Sequence, residues 1–228
     1  MGQCATITTR YAAVRRQGPN DEQILDYPTH YTRLIPIITN SICFSLVGRK
    51  IWDEWKETLA RFAPTEIIDA SSSIDMNAAM QMMQEIQEAH AISAGVKAWL
   101  GWWAMDALET CRRLLGGHGY SSFNAIAGQI DDFAVMTQGG GDNMVLALQT
   151  ARYLLSSWRR SVQHKPLASS VYFLTNATDS LLSLPLPVAS FDPLNHDHLL
   201  SALQWITARS LQFLSTECEK SESIPFHD

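Results

Sequence analysis

The feature that most constrains this chain is the length of its unbroken helical periodicity. From Pro28 to Phe62 the apolar residues Tyr31, Leu34, Ile35, Ile38, Ile42, Leu46, Ile51, Trp55 and Leu59 recur at helical spacing, and the run from Met76 to Leu115 is rich in Ala, Met, Gln, Glu and Leu. Strand-like alternation is scarce, so segments of this length bury their apolar stripes most simply against one another in a bundle. Residues 3–17 read as a first helix, with Ile7, Tyr11 and Val14 on one stripe and Gly18-Pro19 as its stop. Pro36 either kinks or starts the second helix, residues 64–73 are a break, and Gly116-Gly117 ends the third. Residues 117–141 read as a long loop, and 142–160 as a fourth helix with Asp142 at its start and Arg159-Arg160 at its end, matching the helix dipole. The expected fold class is all-α: a four-helix bundle over residues 1–162 and an incomplete second helical segment over 163–228. In that segment 167–184 hold one helix, Pro185 to Pro193 a linker, and 195–218 a helix capped by Asn195.

Composition narrows the function classes. With 228 residues and 46% hydrophobic content there is ample material for a core, and a formal charge of -6 argues against a broad nucleic-acid surface. Local basic pairs, Arg15-Arg16, Arg112-Arg113 and Arg159-Arg160, stand as anion contacts. The four cysteines, Cys4, Cys43, Cys111 and Cys218, have no CxxC spacing, which speaks against a disulfide framework and a structural zinc site. No signal peptide is expected, and Pro36, Asn40 and Ser41 are expected to interrupt the apolar stretch Leu34 to Gly48 before it could span a bilayer. Residues 1–6 fit the short myristoylation pattern but run into an amphipathic helix that a core would claim.

Glycine weakens a helical protein unless backbone has to approach something closely, so Gly116-Gly117-His118-Gly119-Tyr120 and Gly139-Gly140-Gly141-Asp142 are the chemical landmarks. By spacing alone both read as loop termini, since neither is a complete GxGxxG or P-loop sequence, although a helix start preceded by glycines also suits an anion. His118 reads as a hydrogen-bonding residue. His196 and His198 lie two apart, on different helical faces, which disfavours a metal pair. Trp99, Trp102 and Trp103 with Met80, Met82 and Met83 look like a cofactor box, yet at helical spacing such residues are expected in the core.

Five blocks together carry a resemblance. Tyr11-Ala12-Ala13-Val14-Arg15-Arg16-Gln17; Gln23-Ile24-Leu25-Asp26-Tyr27; the run from Ala89 through Cys111-Arg112-Arg113 to Gly116-Gly117-His118-Gly119-Tyr120; Asp142-Asn143; and Leu148-Gln149-Thr150-Ala151-Arg152 resemble, in order and spacing over residues 5–155, the C-terminal α-domain of FAD-dependent acyl-CoA oxidases. The resemblance implies a flavoprotein in which a carboxylate base removes the α-proton of an acyl-CoA thioester while the β-carbon passes hydride to the flavin. It implies that Arg15 and Gln17 meet the FAD pyrophosphate of a neighbouring subunit, that Gly116, Gly117 and Gly119 permit close backbone approach, and that Asp142 and Asn143 lie near the FAD. The cofactor-binding set expected from it is therefore Arg15, Gln17, Gly116, Gly117, Gly119, Asp142 and Asn143.

Two departures temper the implied activity. The family's catalytic glutamate opens a Glu-Gly-(Glu/Asp)-Asn motif; here the motif reads Gly140-Gly141-Asp142-Asn143, and Gly140 has no group able to accept a proton. No catalytic residue and no metal ligand is assigned, and Asp142 is expected to cap its helix. Family members also begin with further domains that hold the flavin ring, so this chain is expected to carry part of a site and to need a homo- or hetero-oligomer. The expected function is that of an acyl-CoA oxidase-like flavoprotein fragment acting on acyl-CoA with a partner chain; the alternative is a non-catalytic binding or assembly subunit or an inactive truncated paralogue. The resemblance implies a peroxisomal location, but residues 224–228 are not a Ser-Lys-Leu-type signal, which leaves the cytosol as the alternative.

Overall fold

The computed structural model describes residues 1–62, 76–176 and 191–222. The expected breaks and linkers at 64–73 and 185–190 lie outside these residues. Helices account for nearly all regular structure: α1 (Gly2–Val14), α2 (Pro28–Phe62), α3 (Met76–Leu114), α4 (Ile126–Ala134), α5 (Asn143–Val162) and α6 (His196–Glu222), with a small hairpin of β1 (Arg16–Gln17) and β2 (Glu22–Gln23). The all-α, bundle-type fold read from the sequence is the one the chain adopts.

Several elements differ from expectation. The first helix stops at Val14, where the Arg15 N–H bonds Tyr11 O, and the chain turns into the hairpin, in which Arg16 faces Gln23 and Gln17 faces Glu22. Gly18 at φ +85° and Asp21 at φ +51° make that turn, and the Arg16 Nη1 donates to Asp21 O at 2.8 Å. The buried face of α1 is Cys4, Ala5, Thr8 and Ala12; Ile7 and Tyr11 pack at its margin and Val14 is exposed. Pro36 lies inside one continuous helix that begins at Pro28, so it does not start the second helix. By length and composition alone residues 28–61 could cross a bilayer, a test that a helix buried in a larger protein also passes. The expected loop 117–141 is filled by short 3-10 turns and by α4, and 169–176 form a 3-10 stretch rather than the start of an α-helix.

By contacts the chain forms two compact units, one of residues 1–73 and 92–147, the other of 74–91 and 148–228. This division runs through α3 and α5, whereas residue 162 marks the end of α5.

In the first unit, Cys4 and Ala5 of α1, Ile37 of α2, Ala107, Leu108 and Cys111 of α3, Leu115 just after α3, and Ile126 of α4 form one core cluster. Small residues along α3 let its neighbour come close: Ala94 and Ala98 pack on Leu146 near the start of α5. Much of the apolar stripe predicted on α2 is not covered in this chain, with Ile35, Ile42 and Leu46 more than half exposed. Trp99, Trp102, Met80 and Met83 are exposed as well, against the expectation of a core role.

In the second unit Trp158 of α5, Val171, Leu174, and Ala208 and Leu211 of α6 form the core. The Ser161 hydroxyl donates to Leu174 O, and Glu88 Oε1 accepts from Ser169 Oγ and the Ser170 N–H at 3.1 and 2.7 Å. The predicted cap of α6 is present: Asn195 Oδ1 accepts from the N–H of Asp197 at 2.9 Å and of His198 at 3.4 Å.

Candidate functional site

The residues singled out by the sequence fall into two places. Arg15, Gln17 and Gly116 line one cleft of about 440 Å³ between the end of α1, the hairpin, the first turns of α2 and the end of α3. Its walls also include Tyr11, Tyr27, His30, Arg33 and Arg113, and no carboxylate among the described residues. The end of α1 reaches the cleft because the hairpin folds back: Ile24 N–H bonds Arg15 O at 2.9 Å, and Tyr27 Oη donates to Gln17 O at 3.1 Å. Gly18 is needed for that last approach, since a Cβ there would lie 2.4 Å from the Tyr27 Oη.

The charges in this cleft are unequally engaged. Among the described residues the Arg15 guanidinium has no hydrogen-bond or ion-pair partner, while the Arg33 Nε donates to Thr29 O at 2.7 Å within its own helix. Arg113 contacts Glu109 at 2.9 Å, but the same carboxylate also takes Arg112, so one negative charge serves two guanidiniums. Arg112 and then Arg113 hold the Glu109 carboxyl below the usual range. His30 is 7% exposed; its Nε2 lies 3.2 Å from Leu114 O and its Nδ1 has no partner. Burial first, and the charge of Arg33 after it, push the His30 imidazole below its ordinary value, so it is neutral near pH 7. The cleft's positive charge therefore rests on arginines. Of the basic pairs picked out in the sequence, one member each of the first two lies here; Arg16 is tied to the hairpin, Arg112 stacks on Tyr120 at 4.4 Å, and Arg160 donates to Pro166 O.

The glycines after α3 owe their identity to different causes. Gly116 has φ +57°, the left-handed cap of a helix end. A Cβ on Gly119 would lie 2.0 Å from Arg112 O, so the chain's own backbone requires glycine there. Gly117 meets nothing within 4 Å and its backbone is ordinary, so only something outside this fold would notice a side chain.

Asp142 and Asn143 are elsewhere. Asp142 Oδ1 accepts from the N–H groups of Met144 and Val145 at 2.8 and 3.4 Å, which makes it the cap of α5, as expected. Asn143 is 2% exposed; its Oδ1 accepts from Lys97 Nζ at 2.7 Å, and its Nδ2 is buried without a partner against Gly101. Lys97 also donates to Gly141 O at 2.5 Å, tying the turn to α3. Sequence reasoning passed over Lys97, Arg33 and His30 because each is an isolated polar residue inside a helical run; only the fold brings them to a turn or a cleft. Gly140 has φ +73° with open space where a Cβ would stand.

The remaining candidates are structural. His118 lies against Tyr11, with ring centroids 5.5 Å apart, and His198 Nδ1 accepts the Asp192 N–H at 3.1 Å. Among the described residues no three His, Cys, Asp or Glu side chains are placed to hold a metal ion. Cys4 and Cys111 are buried free thiols, and burial pushes Cys111 up to about 11.

Residues 1–155 match the family described as "Acyl-CoA oxidase, C-alpha1 domain". Acyl-coenzyme A oxidase 3 of Yarrowia lipolytica is 33% identical over 176 residues, 75% of this chain and 24% of that protein. Human peroxisomal acyl-coenzyme A oxidase 1 is 32% identical over 181 residues, 77% of this chain and 25% of that protein. The crystal structure of the Yarrowia oxidase 3 superposes with a TM-score of 0.82 at 28% identity, covering 99% of this chain and 32% of that one. Arabidopsis thaliana acyl-CoA oxidase 1 gives 0.80 at 28% identity, covering 100% and 32%. The chain thus spans about a quarter of the curated relatives' length.

Proposed function

Because the chain belongs to the acyl-CoA oxidase family, with that family's C-α1 domain over residues 1–155, we propose that it contributes the phosphate-binding side of a flavin site to an oxidase assembly and does not oxidise acyl-CoA by itself. The observation that carries this reading is the cleft that gathers Arg15, Gln17 and Gly116 with further arginines and no carboxylate. It fits a phosphate group, which a guanidinium without a partner, such as that of Arg15, binds well in a partly enclosed site. Arg15 offers a positive charge to the phosphate, Gln17 offers an amide, and Gly116 with Gly117 keeps the end of α3 free of side chains for close approach. When bound, FAD supplies the acceptor for the hydride of an acyl-CoA thioester. Asp142 and Asn143 act at a distance from this cleft by fixing the start of α5. A longer oxidase chain, or another copy of this one, completes the site, and the relatives named peroxisomal support the peroxisome as its place of action.

A second reading, a binding or assembly subunit without chemistry, is favoured by one pair of observations. The motif resemblance puts Gly140 at the position of the family's base, and the Asp142 carboxylate is engaged at the helix cap. Flavin absorbance separates the readings: the chain purified with a full-length family oxidase is expected to be yellow in excess of the oxidase alone, and Arg15→Gln to lose that excess. No added flavin in the wild-type mixture would sink the shared-site reading. Peroxide formed from an acyl-CoA by a yellow complex is expected only with Gly140→Glu; equal activity of the unsubstituted chain would place the base elsewhere.

A further inference from the structure

Helix α6 is apolar on two opposite faces, and the fold covers one of them. Ala208 and Leu211 join the second unit's core, and Ser215 is buried on the same face. On the other face Leu199, Leu200, Leu203, Ile206, Phe213 and Leu214 are between 39% and 65% exposed. We propose that this outer face binds the same face of a second copy of this chain, the two α6 helices running antiparallel. The inference stands apart from the flavin reading, since no residue of the arginine cleft or of the turn before α5 takes part in it.

Three observations carry it. First, Leu199, Leu203, Ile206, Ser210 and Phe213 recur along α6 at alternating steps of four and three, the spacing at which one helix meets another over a narrow seam. A helix that faced only water would need none of these large side chains, and a contiguous apolar patch marks a contact site. Second, the seam's charge and shape set the direction of the partner. Glu217, bridged by Lys220 at 2.7 Å, continues the same stripe, so a parallel pair would set Glu217 against Glu217 and leave a gap at Ser210. In the antiparallel register that brings Leu203 and Ile206 of both copies together, Leu199 of each copy faces Ser210 of the other, a large side chain against a small one. Glu217 then lies beside the start of the other helix, where free N–H groups favour a carboxylate. Asp197 and Glu219 stand about three turns either side of Ala208 and so fall on its face, outside the seam, while Arg209 at the margin is held over Trp205 at 5.4 Å. Third, covering the six side chains in each copy removes about 1,200 Å² from water, the size at which specific interfaces begin.

Sedimentation equilibrium of the full chain tests this. The mass is expected to rise towards twice that of one chain as concentration passes from about 1 to about 100 μM, the range that an interface of this size supports. Leu203→Lys should weaken the pair by about tenfold or more, because it carries a charge into the seam. Glu217→Lys should weaken it by about threefold, and Ile42→Lys on the exposed face of α2 should change nothing. Leu203 is 62% exposed within one chain, so at the lowest concentration circular dichroism is expected to be the same for Leu203→Lys as for the unsubstituted chain. Direction is read with a short bis-maleimide on chains carrying Cys43→Ser and Cys218→Ser. Leu199→Cys mixed with Ser210→Cys should cross-link, and Leu199→Cys alone should not. A chain that stays monomeric at about 100 μM, or a dimer that survives Leu203→Lys, would overturn the proposal. So would loss of the dimer with Ile42→Lys, which moves the contact to α2, and cross-linking of Leu199→Cys with itself, which makes the pair parallel. A monomeric chain whose Leu203→Lys variant loses binding to a full-length family oxidase would give the face to that oxidase and not to a second copy, with the flavin reading unaffected.

Discussion

Two glycine-rich turns of nearly equal length behave differently in this fold. The turn after α3 opens on the arginine cleft: Gly116 caps the helix, Gly119 yields to the Arg112 carbonyl, and Gly117 is unconstrained from within. The turn before α5 is an internal joint, where Gly140 and Gly141 at φ +73° and +109° bring the chain round and Lys97 fastens Gly141 and Asn143 to α3. Sequence composition puts both in one class. Geometry separates a glycine that gives room to a neighbour in the same chain from one that leaves room for something else.

The contrast is broken most sharply inside the first turn. Gly119→Ala would place a Cβ 2.0 Å from a backbone oxygen that cannot swing away, and overpacking of this kind is expected to cost about 3 kcal/mol. Gly117→Ala, two residues earlier, should change stability by no more than about 0.5 kcal/mol, since it meets nothing. Urea titrations of the two variants compare them directly. Equal losses would mean that the turn is not closed on Arg112 as described. Flavin recovery with a partner gives the reverse order of interest: a folded Gly117→Ala chain that fails to add flavin places the ligand against this turn.

At the second turn the expected effects are smaller. Lys97→Met leaves the buried Asn143 Oδ1 without its donor, at about 2 kcal/mol. Gly101→Ala should cost a similar amount, about 2 kcal/mol, because its Cβ would lie 2.6 Å from Asn143 Nδ2. If the joint is one unit the double variant loses less than the sum, and simple additivity would show that Lys97 and Gly101 act separately. Gly140→Glu has space for its side chain but a left-handed backbone, so about 1 kcal/mol is expected from denaturant midpoints. That cost has to be measured before any loss or gain of peroxide formation is assigned to chemistry.

How much of this was legible in the sequence depends on the range of the cause. Helix lengths follow from local periodicity and propensity, and the positions of α2, α3, α5 and α6 were readable within a few residues. So were the caps at Asp142 and Asn195, each set by a short side chain and the next turn's N–H groups. The hairpin after α1 was hidden because two-residue strands have no periodicity, and its Gly18 was read as a helix stop when it is also a contact for Tyr27. Which face of a helix is covered was not legible either. The stripe on α2 and the Trp-Met face of α3 carry the pattern of a core, yet much of both is exposed in this chain, because periodicity reports that a face is apolar and not what lies against it. At the site, Arg15, Gln17 and Gly116 came from a resemblance between motifs; Arg33, His30 and Lys97 depend on contacts across long separations in sequence, such as His30 with Leu114 and Lys97 with Gly141.

The finest test of the difference between the two turns uses pH. His30 joins α2 to the end of α3 through Leu114 O, next to Gly116, while no histidine appears in the bonds of Lys97, Gly141 and Asn143 at the other joint. Burial, followed by Arg33, lowers the His30 pKa in the fold, whereas the unfolded chain titrates near the ordinary value of about 6.5. Above that value both states are neutral at His30 and it contributes no pH dependence. As pH falls below it, the unfolded state takes up a proton first, so stability declines until pH passes through the lowered folded pKa and then levels off. His30→Gln can keep a donor for Leu114 O without the titration. Its stability is therefore expected to fall less than that of the unsubstituted chain between about pH 7 and pH 5, read as the difference in urea midpoint at each pH. Lys97→Met should leave the slope unchanged while lowering the whole curve. If His30→Gln shifts the curve without flattening it, the imidazole is not the buried neutral group at the end of α3 that the geometry describes.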